Sequence, residues 1–390
     1  MTPFDFCCPT RIVFGPGRVA ETGALTASLA VRRALVVSDP GIVRAGHTGR
    51  CVALLQAAGL EAHVFDAVQE NPTTLEVEAG VRVARDFTPD VLLAVGGGSS
   101  MDCCKGINFL YSCGGQMQDY WGVGKATGPL LPMVAVPTTA GTGSEAQSFA
   151  LISDATTHAK MACGDKRAAF RLAILDPELT LTQPPRVTAL TGIDAVAHTI
   201  ETLVCKKRNQ ISMAFSREAW RLLSQGLPRV LDDPTDLIAR AWVQQGACLA
   251  GLAIENSMLG AAHALANPLT ATYGVVHGEA VGVMLPHVVA HNASRSRGAQ
   301  RAYEELSQEI LPTDWADPAA GCLELERFLS DLARKANLAS TLEALGVERD
   351  RLPALAADAA RQWTGSFNPV EMSEDDYLRI YQAAYAGDAL

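Results

Sequence analysis

The chain has 390 residues, of which 48% are hydrophobic and 19% charged, the balance of a globular protein large enough for more than one core. Lys and Arg together number 32 against 42 Asp and Glu, which gives a net charge of -10 at pH 7. An acidic chain lacks the basic field that sequence-independent nucleic-acid binding requires. We therefore expect neither a nucleic acid nor an anionic membrane as a partner.

The cysteines indicate the cellular compartment. They are dispersed along the chain apart from the adjacent pairs Cys7–Cys8 and Cys103–Cys104, and no C-x-x-C motif occurs. This pattern is typical of buried, reduced thiols in a reducing compartment. The first residues contain no basic segment or apolar run, so we expect no secretory signal, and apolar runs such as Val281–Leu285 are too short to cross a bilayer. We expect a soluble cytoplasmic protein.

The first half of the chain alternates short apolar runs with helical stretches. Four runs that end in turn residues predict buried strands: Ala34–Asp39, Val91–Val95, Met133–Val136 and Leu172–Leu175. Helical spacing over Thr48–Ala58 and Leu75–Asp86 places helices between them. Strands that alternate with helices in this way predict βαβ units and a parallel sheet.

The second half is predicted to be helical. Apolar residues recur at helical spacing over Thr188–Val204, Ile211–Leu227, Asp236–Ala266, Leu323–Ala336, Arg351–Trp363 and Glu374–Tyr385. The pair Pro184 and Pro185 marks the junction. We predict an α/β nucleotide-binding domain over residues 1–180 and an all-helical domain over residues 181–390. A small-molecule site is expected in the cleft between such domains.

Three strand ends carry residues suited to a nucleotide. Gly96–Asp102 reads GGGSSMD, and its glycines and the helix start after it can cradle a phosphate, although a tight capped turn explains it equally well. The loop Pro137–Glu145 has four hydroxyl residues and two glycines, which suit hydrogen bonding to a polar ligand. Asp39 ends a strand where an acid can bind an adenosine ribose, or simply form a turn.

The helical half contains a candidate metal site. Asp194 and His198 lie one helical turn apart, so their side chains point the same way. His263 and His277 follow on separate elements, since Pro268 and Gly274 are expected to interrupt the helix between them. Three imidazoles and a carboxylate suit Fe²⁺, Zn²⁺, Mn²⁺ or Ni²⁺. Two alternatives stay open on spacing alone: a simple ion pair, and the rival pair His287 and His291.

The order and spacing of these motifs resemble the iron-containing (group III) alcohol dehydrogenase family over essentially the whole chain. The matching positions are Phe14–Gly17, Asp39, Asn71–Thr73, Gly96–Asp102, Pro137–Glu145, Thr191–His198, His263, Pro268–Leu269, His277–Gly278 and Leu285–His287. The resemblance implies a dehydroquinate synthase-like fold with a Rossmann-like first domain. It also implies NAD, with NADP possible, and one Fe²⁺, with Zn²⁺ or Ni²⁺ possible. A homodimer or higher homo-oligomer is expected.

The resemblance also implies which residues form the sites. The metal ligands would be Asp194, His198, His263 and His277, and His287 and His291 would belong to the helical scaffold. The cofactor contacts would be Asp39, Asn71, Gly97, Gly98, Ser99, Asp102, Thr138, Thr139, Thr142, Lys160 and Leu179. The chain departs from the family at Asn267, where histidine is frequent, and at Gln147, where threonine is usual.

The function implied is that of a metal-dependent, NAD(P)-linked alcohol dehydrogenase acting on a small alcohol or diol and its aldehyde or ketone. No residue is identified as a general base beyond the metal centre. Alternatives are a glycerol dehydrogenase-like or maleylacetate reductase-like enzyme of the same fold. A catalytically silent module that binds metal and nucleotide is a third.

Overall fold

The computed structural model describes residues 3–157, 159–311, 313 and 317–387. They form two compact units, Cys8–Gln183 and Pro184–Leu390, the second of which also takes in the described part of Met1–Cys7. The predicted first domain over residues 1–180 places that N-terminal segment in the α/β unit. It groups with the helical unit because the backbone N–H of Cys7 donates to Asn256 Oδ1 at 2.9 Å, and Asn256 Nδ2 donates to the Cys7 carbonyl at 3.0 Å.

The α/β unit is built on a six-stranded parallel sheet in the order β1-β9-β6-β4-β2-β3. The strands of the unit are β1 (Arg11–Phe14), β2 (Arg33–Val37), β3 (Glu61–Phe65), β4 (Val91–Gly96), β5 (Gly122–Val123), β6 (Met133–Pro137), β7 (Phe149–Ser153), β8 (Lys160–Gly164) and β9 (Leu172–Leu175). The four predicted strands are β2, β4, β6 and β9, so the predicted parallel sheet is confirmed. A second sheet, in the order β5-β8-β7, was not predicted.

Five α-helices follow these strands: α1 (Thr22–Ala27), α2 (Pro40–Arg44), α3 (His47–Ala57), α4 (Thr74–Phe87) and α5 (Gly98–Cys113). The chain runs from β2 outward to β3 and then returns across β2 to β4, so the strand order reverses there. In open parallel sheets ligands bind at the carboxyl ends of strands at such a reversal. Asp39 follows β2, and Gly97 follows β4. Two of the predicted cofactor segments therefore lie at the same edge of the sheet.

The helical unit confirms the predicted change of architecture. Its helices are α6 (Pro185–Val204), α7 (Gln210–Asp232), α8 (Leu237–Glu255), α9 (Ala261–Tyr273), α10 (His277–Arg295), α11 (Arg297–Ile310), α12 (Pro318–Lys335), α13 (Leu352–Ala360) and α14 (Glu374–Ala386). The single helix predicted over Asp236–Ala266 is wrong. Asn256 Nδ2 and Ser257 Oγ donate to the carbonyls of Leu252 and Ala253, so polar side chains end α8 there.

Pro268 does not interrupt a helix as expected, because α9 continues through it to Tyr273. Three residues, Gly274, Val275 and Val276, separate α9 from α10, and Gly274 adopts the left-handed conformation with φ 66°. Proline removes one backbone hydrogen bond, which a buried helix with enough packing around it tolerates. His263 and residue 267 consequently lie on the same helix, and His277 begins the next one.

The helical unit buries a large apolar core. Trp220 of α7 is fully buried and its indole N–H donates to the Leu306 carbonyl at 2.9 Å. In the part of the chain that the structure describes, α8 is the one helix that meets the length and composition of a membrane span. However, 67% of its apolar window is buried within the protein, as in a core helix.

A glycine contact in the α/β unit gives a test of this packing. A Cβ on Gly23 of α1 would lie 2.0 Å from the backbone oxygen of Leu54 in α3, so Gly23→Ala must push the two helices apart. Overpacking of this kind costs about 1–3 kcal/mol. Gly49→Ala is the matched control, because its Cβ would meet no atom within 4 Å. In urea unfolding followed by circular dichroism, only Gly23→Ala should lower the midpoint; equal midpoints for the two variants would contradict the packing.

Candidate metal centre and dinucleotide site

The helical unit brings one carboxylate and three imidazoles to a single point. Asp194 and His198 lie on α6, His263 lies in the first turn of α9, and His277 begins α10. The Nε2 atoms of His198, His263 and His277 lie 3.3, 3.4 and 3.7 Å from Asp194 Oδ1. The ligand atoms of Asp194, His263 and His277 are all within 4.8 Å of one another. All four predicted ligands are therefore brought together.

A backbone contact holds α6 and α10 close together. A Cβ on Gly278 would lie 2.2 Å from the backbone oxygen of Leu190, so no other residue fits without moving a helix. Leu190 lies one turn before Asp194 on α6, and Gly278 follows His277 directly. The glycine therefore sets the distance between these two ligands through main-chain packing.

Three of the four side chains in the cluster are buried, and the fourth is partly exposed. Asp194, His198 and His263 are buried, whereas the His277 side chain is 24% exposed. Burial opposes the charge of Asp194, but the nearby His198, His263 and His277 outweigh it and hold the pKa of Asp194 well below its usual value. Burial lowers the pKa of His263, but Glu201 and Asp194 overcome this effect and raise it to about 9. The lowered pKa means that the surroundings of Asp194 favour its ionised form over its protonated form.

Oδ1 of Asp194 and Nε2 of His263 are fully enclosed, and neither has a hydrogen-bond partner of good geometry among the residues that the structure describes. Buried polar atoms are nearly always satisfied, so a pair left open toward each other calls for a missing partner. Three imidazole nitrogens and a carboxylate oxygen are the donors that divalent transition metals prefer. The residues present fit such a metal.

Glu201, which the sequence analysis missed, lies directly behind His263. Its Oε2 contacts His263 Nδ1 in a short hydrogen bond, and its Oε1 accepts from the backbone N–H of Ala262 at 2.7 Å. The residue lies three positions after His198, just beyond the matched segment Thr191–His198. Its spacing from His198 on one helix gave a signal, but its partner lies on another helix and could not be inferred.

The rival histidines do not join the cluster. His291 Nε2 faces Arg295 at 3.4 Å, and burial lowers the pKa of His287 to about 4. His287 therefore stays neutral inside the helical scaffold. Asn267, one turn after His263 on α9, donates its side-chain N–H to Gln362 Oε1 at 3.0 Å. It is engaged with the segment before the C-terminal helix instead of with the four ligands.

The predicted phosphate loops of the α/β unit contact each other. A Cβ on Gly97 would lie 3.1 Å from Thr139 Cγ2, and one on Gly98 would lie 2.7 Å from Thr142 Cγ2. The glycines thus let the threonine-rich loop approach the start of α5, whose free N–H groups favour an anion. Thr138 is buried, and its hydroxyl has no hydrogen-bond partner within the described chain.

Asp39 has a structural role in addition to its predicted one. Its Oδ1 caps α2 by accepting from the N–H groups of Gly41 and Ile42 at 2.8 and 3.0 Å. The second oxygen, Oδ2, lies 3.4 Å from Ser100 Oγ. Two further predicted residues meet nearby, since the backbone N–H of Asn71 donates to Ser99 Oγ at 3.2 Å.

Asp102 faces inward. It accepts from Ser144 Oγ at 2.6 Å and lies 3.7 Å from the fully buried Lys105, and burial raises its pKa against the opposing effect of that lysine. Leu179 is buried in the core cluster of the α/β unit, and Lys160 begins β8. Gln147 donates to the Thr142 carbonyl at 2.8 Å and thereby stiffens the threonine-rich loop.

The chain matches a known protein family and several known proteins. Residues 9–177 match the family described as iron-containing alcohol dehydrogenase, and residues 188–385 match the C-terminal region of the Fe-containing alcohol dehydrogenase family. Alcohol dehydrogenase 4 of Schizosaccharomyces pombe is 34% identical over 379 residues, 97% of this chain and 88% of the relative. The NAD-dependent methanol dehydrogenase of Bacillus methanolicus is 32% identical over 383 residues, 97% of this chain and 99% of the relative.

The chain is also similar to solved structures. A crystal structure of 1,3-propanediol oxidoreductase superimposes with a TM-score of 0.95 at 30% identity, covering 98% of this chain and 100% of that one. The predicted pairing of an α/β domain with a helical domain is thereby confirmed. The chain belongs to the iron-containing alcohol dehydrogenase family and is an oxidoreductase that acts on alcohols.

Proposed function

We propose that this protein is a metal-dependent, NAD-linked dehydrogenase that interconverts a small primary or secondary alcohol, or a diol, and its aldehyde or ketone. The observation that carries the proposal is the convergence of Asp194 with three imidazoles, with Asp194 Oδ1 and His263 Nε2 left open toward each other. Relatives that act on methanol and on 1,3-propanediol support a small substrate.

The metal ligands proposed are Asp194, His198, His263 and His277. When bound, a divalent metal supplies Lewis acidity toward an alcohol or carbonyl oxygen, and NAD supplies the hydride acceptor. The chain contributes the setting for both. Asp194 stays ionised at neutral pH because its pKa is held low, and its burial with His198 and His263 keeps water from those ligands. The more exposed His277 side is where we expect a substrate to enter.

The α/β unit is proposed to bind the dinucleotide. Gly97 and Gly98 at the start of α5 would hold the pyrophosphate, and the Thr138 hydroxyl would bind a polar group of the cofactor. The proposed contacts also include Asp39, Asn71, Ser99, Asp102, Thr139, Thr142, Lys160 and Leu179. NAD would be preferred over NADP, with NADP possible, because an acid at the end of such a strand repels the extra phosphate of NADP.

Two further features belong to the proposal. Seven of the ten cysteines are buried, which supports a reducing, cytoplasmic location. A homodimer or higher homo-oligomer is the expected assembly.

The direct test is turnover. Protein loaded with Fe²⁺, and in parallel with Zn²⁺ or Ni²⁺, is mixed with NAD⁺ or NADP⁺ and short alcohols, diols and glycerol, and the absorbance of the reduced cofactor is followed. Turnover that depends on the metal and favours a small alcohol supports the proposal. Binding of metal and NAD without turnover of any alcohol would instead indicate a silent module.

Removal of one ligand should abolish both metal and activity. His263→Ala should weaken metal binding by more than the roughly 10–100-fold that even outer-sphere changes cause. His287→Ala is the matched control, since it removes a histidine of α10 that lies outside the cluster. Metal content by elemental analysis and the rate of NADH formation are the measurements. Parent-like turnover by metal-free His263→Ala would rule out the metal mechanism.

Cofactor preference should depend on the charge of Asp39. Asp39→Gly should raise kcat/KM with NADP relative to NAD by about tenfold, the effect of relieving roughly 1.4 kcal/mol of repulsion. The change also removes the cap of α2, so Asp39→Asn serves as control because its amide oxygen can still cap the helix. A ratio that stays the same in both variants would place Asp39 away from the adenosine.

The pH dependence should respond to position 267. Asparagine takes up no proton near neutral pH, whereas Asn267→His would introduce an ionisation near pH ~6.5. We expect that ionisation to be seen in kcat/KM against pH, with loss of the contact to Gln362 as a side effect. Asn267→Ala, which also loses that contact, controls for it. Superimposable profiles and rates for all three proteins would show that residue 267 lies outside the active site.

A further inference from the structure

We propose that Glu201 is a positioning residue that fixes the ring orientation and tautomer of His263, so that Nε2 of this histidine is kept ready for the metal. This inference rests on the proposed metal site. Glu201 is not one of the four proposed ligands, but we expect it to contribute measurably to the affinity for the metal.

The hydrogen bonds of Glu201 define the tautomer. Oε1 accepts from the backbone N–H of Ala262 at 2.7 Å and of His263 at 3.3 Å, while Oε2 forms the short bond with His263 Nδ1. A carboxylate can only accept, so Nδ1 must carry the proton of that bond. The lone pair of a neutral His263 is then on Nε2, the atom 3.4 Å from Asp194 Oδ1.

The same carboxylate fixes where the ring lies. Glu201 is buried on α6, the helix that also carries Asp194 and His198. By bonding both the start of α9 and the ring of His263, it joins the third ligand to the helix of the first two. A Cβ on Gly260 would lie 3.2 Å from Glu201 Oε1, which leaves little room for another arrangement.

A second buried network supports the start of α9 from the other side. Asn368 Oδ1 accepts from Asn292 Nδ2 at 3.1 Å and lies 3.4 Å from the backbone nitrogen of Ala261. Asn368 Nδ2 donates in turn to Asn292 Oδ1 at 2.7 Å. The start of α9 is therefore held by Asn368 as well as by Glu201. A substitution at Glu201 that keeps the shape of the side chain should leave the fold intact.

Replacement by an amide separates shape from proton position. Glu201→Gln has the same size but one acceptor oxygen and one NH₂ group. If the oxygen keeps the two backbone N–H groups, the NH₂ faces Nδ1 of His263. The ring must then accept at Nδ1 and carry its proton on Nε2, which blocks the atom needed for the metal. In the opposite amide orientation the NH₂ group would face the backbone N–H groups of Ala262 and His263, and these donors would repel each other.

The experiment measures zinc affinity by calorimetry with a competing chelator. Glu201→Gln should bind Zn²⁺ about 10–100-fold more weakly than the parent, the range found for outer-sphere partners of metal-bound histidine. Glu279→Gln is the matched control: it is a buried glutamate of α10 that bonds Arg186 and the N–H of Ala339 but no ligand ring. Its affinity should equal that of the parent. Equal affinities for all three proteins would overturn the proposal.

Two spectroscopic measurements exclude a merely structural effect. The Co²⁺ absorption spectrum should change in Glu201→Gln and not in Glu279→Gln. In the zinc-loaded parent labelled with ¹⁵N-histidine, Nδ1 of His263 should carry a proton that is strongly shifted downfield, assigned by its absence in His263→Ala. This last measurement needs no folded Glu201 variant, and a proton absent from Nδ1 would refute the inference.

The two possible failures can be told apart. A parent protein that takes up no zinc would refute the proposed metal site as a whole. A parent that binds zinc as tightly as Glu201→Gln, with Nδ1 unprotonated, would refute only the role of Glu201.

Discussion

The buried negative charge of Asp194 is the constraint on which the helical unit depends. An ionised carboxylate removed from water is stable only if opposite charge or hydrogen-bond donors surround it. Here Nε2 of His198 on the same helix, and Nε2 of His263 and His277 on two others, lie 3.3 to 3.7 Å from Asp194 Oδ1, and a cation held among these four groups would supply that compensation. The charge is therefore stabilised at the point where three helices meet.

The α/β unit contains a buried positive charge, which is likewise stabilised by the polar groups around it. Lys105 is fully buried beneath the threonine-rich loop, and its ammonium donates to the Ser144 carbonyl, to Ser144 Oγ and to the Phe149 carbonyl within 2.8 Å. Ser144 in turn donates to Asp102. A buried cation thus anchors the loop that carries Thr138 and Thr142 to α5. In each unit a desolvated charge organises the segment where the site is proposed, so the rigidity of the site comes from electrostatics as well as from packing.

The sequence predicted features that depend on local spacing and missed those that depend on tertiary contacts. Continuous apolar runs identified the central strands, and the one-turn spacing of Asp194 and His198 identified half of the metal cluster. The edge strand β3 alternates in exposure and gave no such run. Convergence of His263 and His277 came from family resemblance, because no local rule states which helices will meet. Glu201 was passed over for the same reason, since its partner is distant in sequence.

The contact between Gly278 and the Leu190 carbonyl has a consequence for how this protein can change over time. Because main-chain atoms, not side chains, set the separation of α6 and α10, the apolar residues around them can be exchanged without altering the spacing of Asp194 and His277. The side chains packed around α6 and α10 are thus free to change while the spacing of these two ligands is kept. Position 278 itself is closed to variation, and a mutational library for new alcohols should leave it fixed.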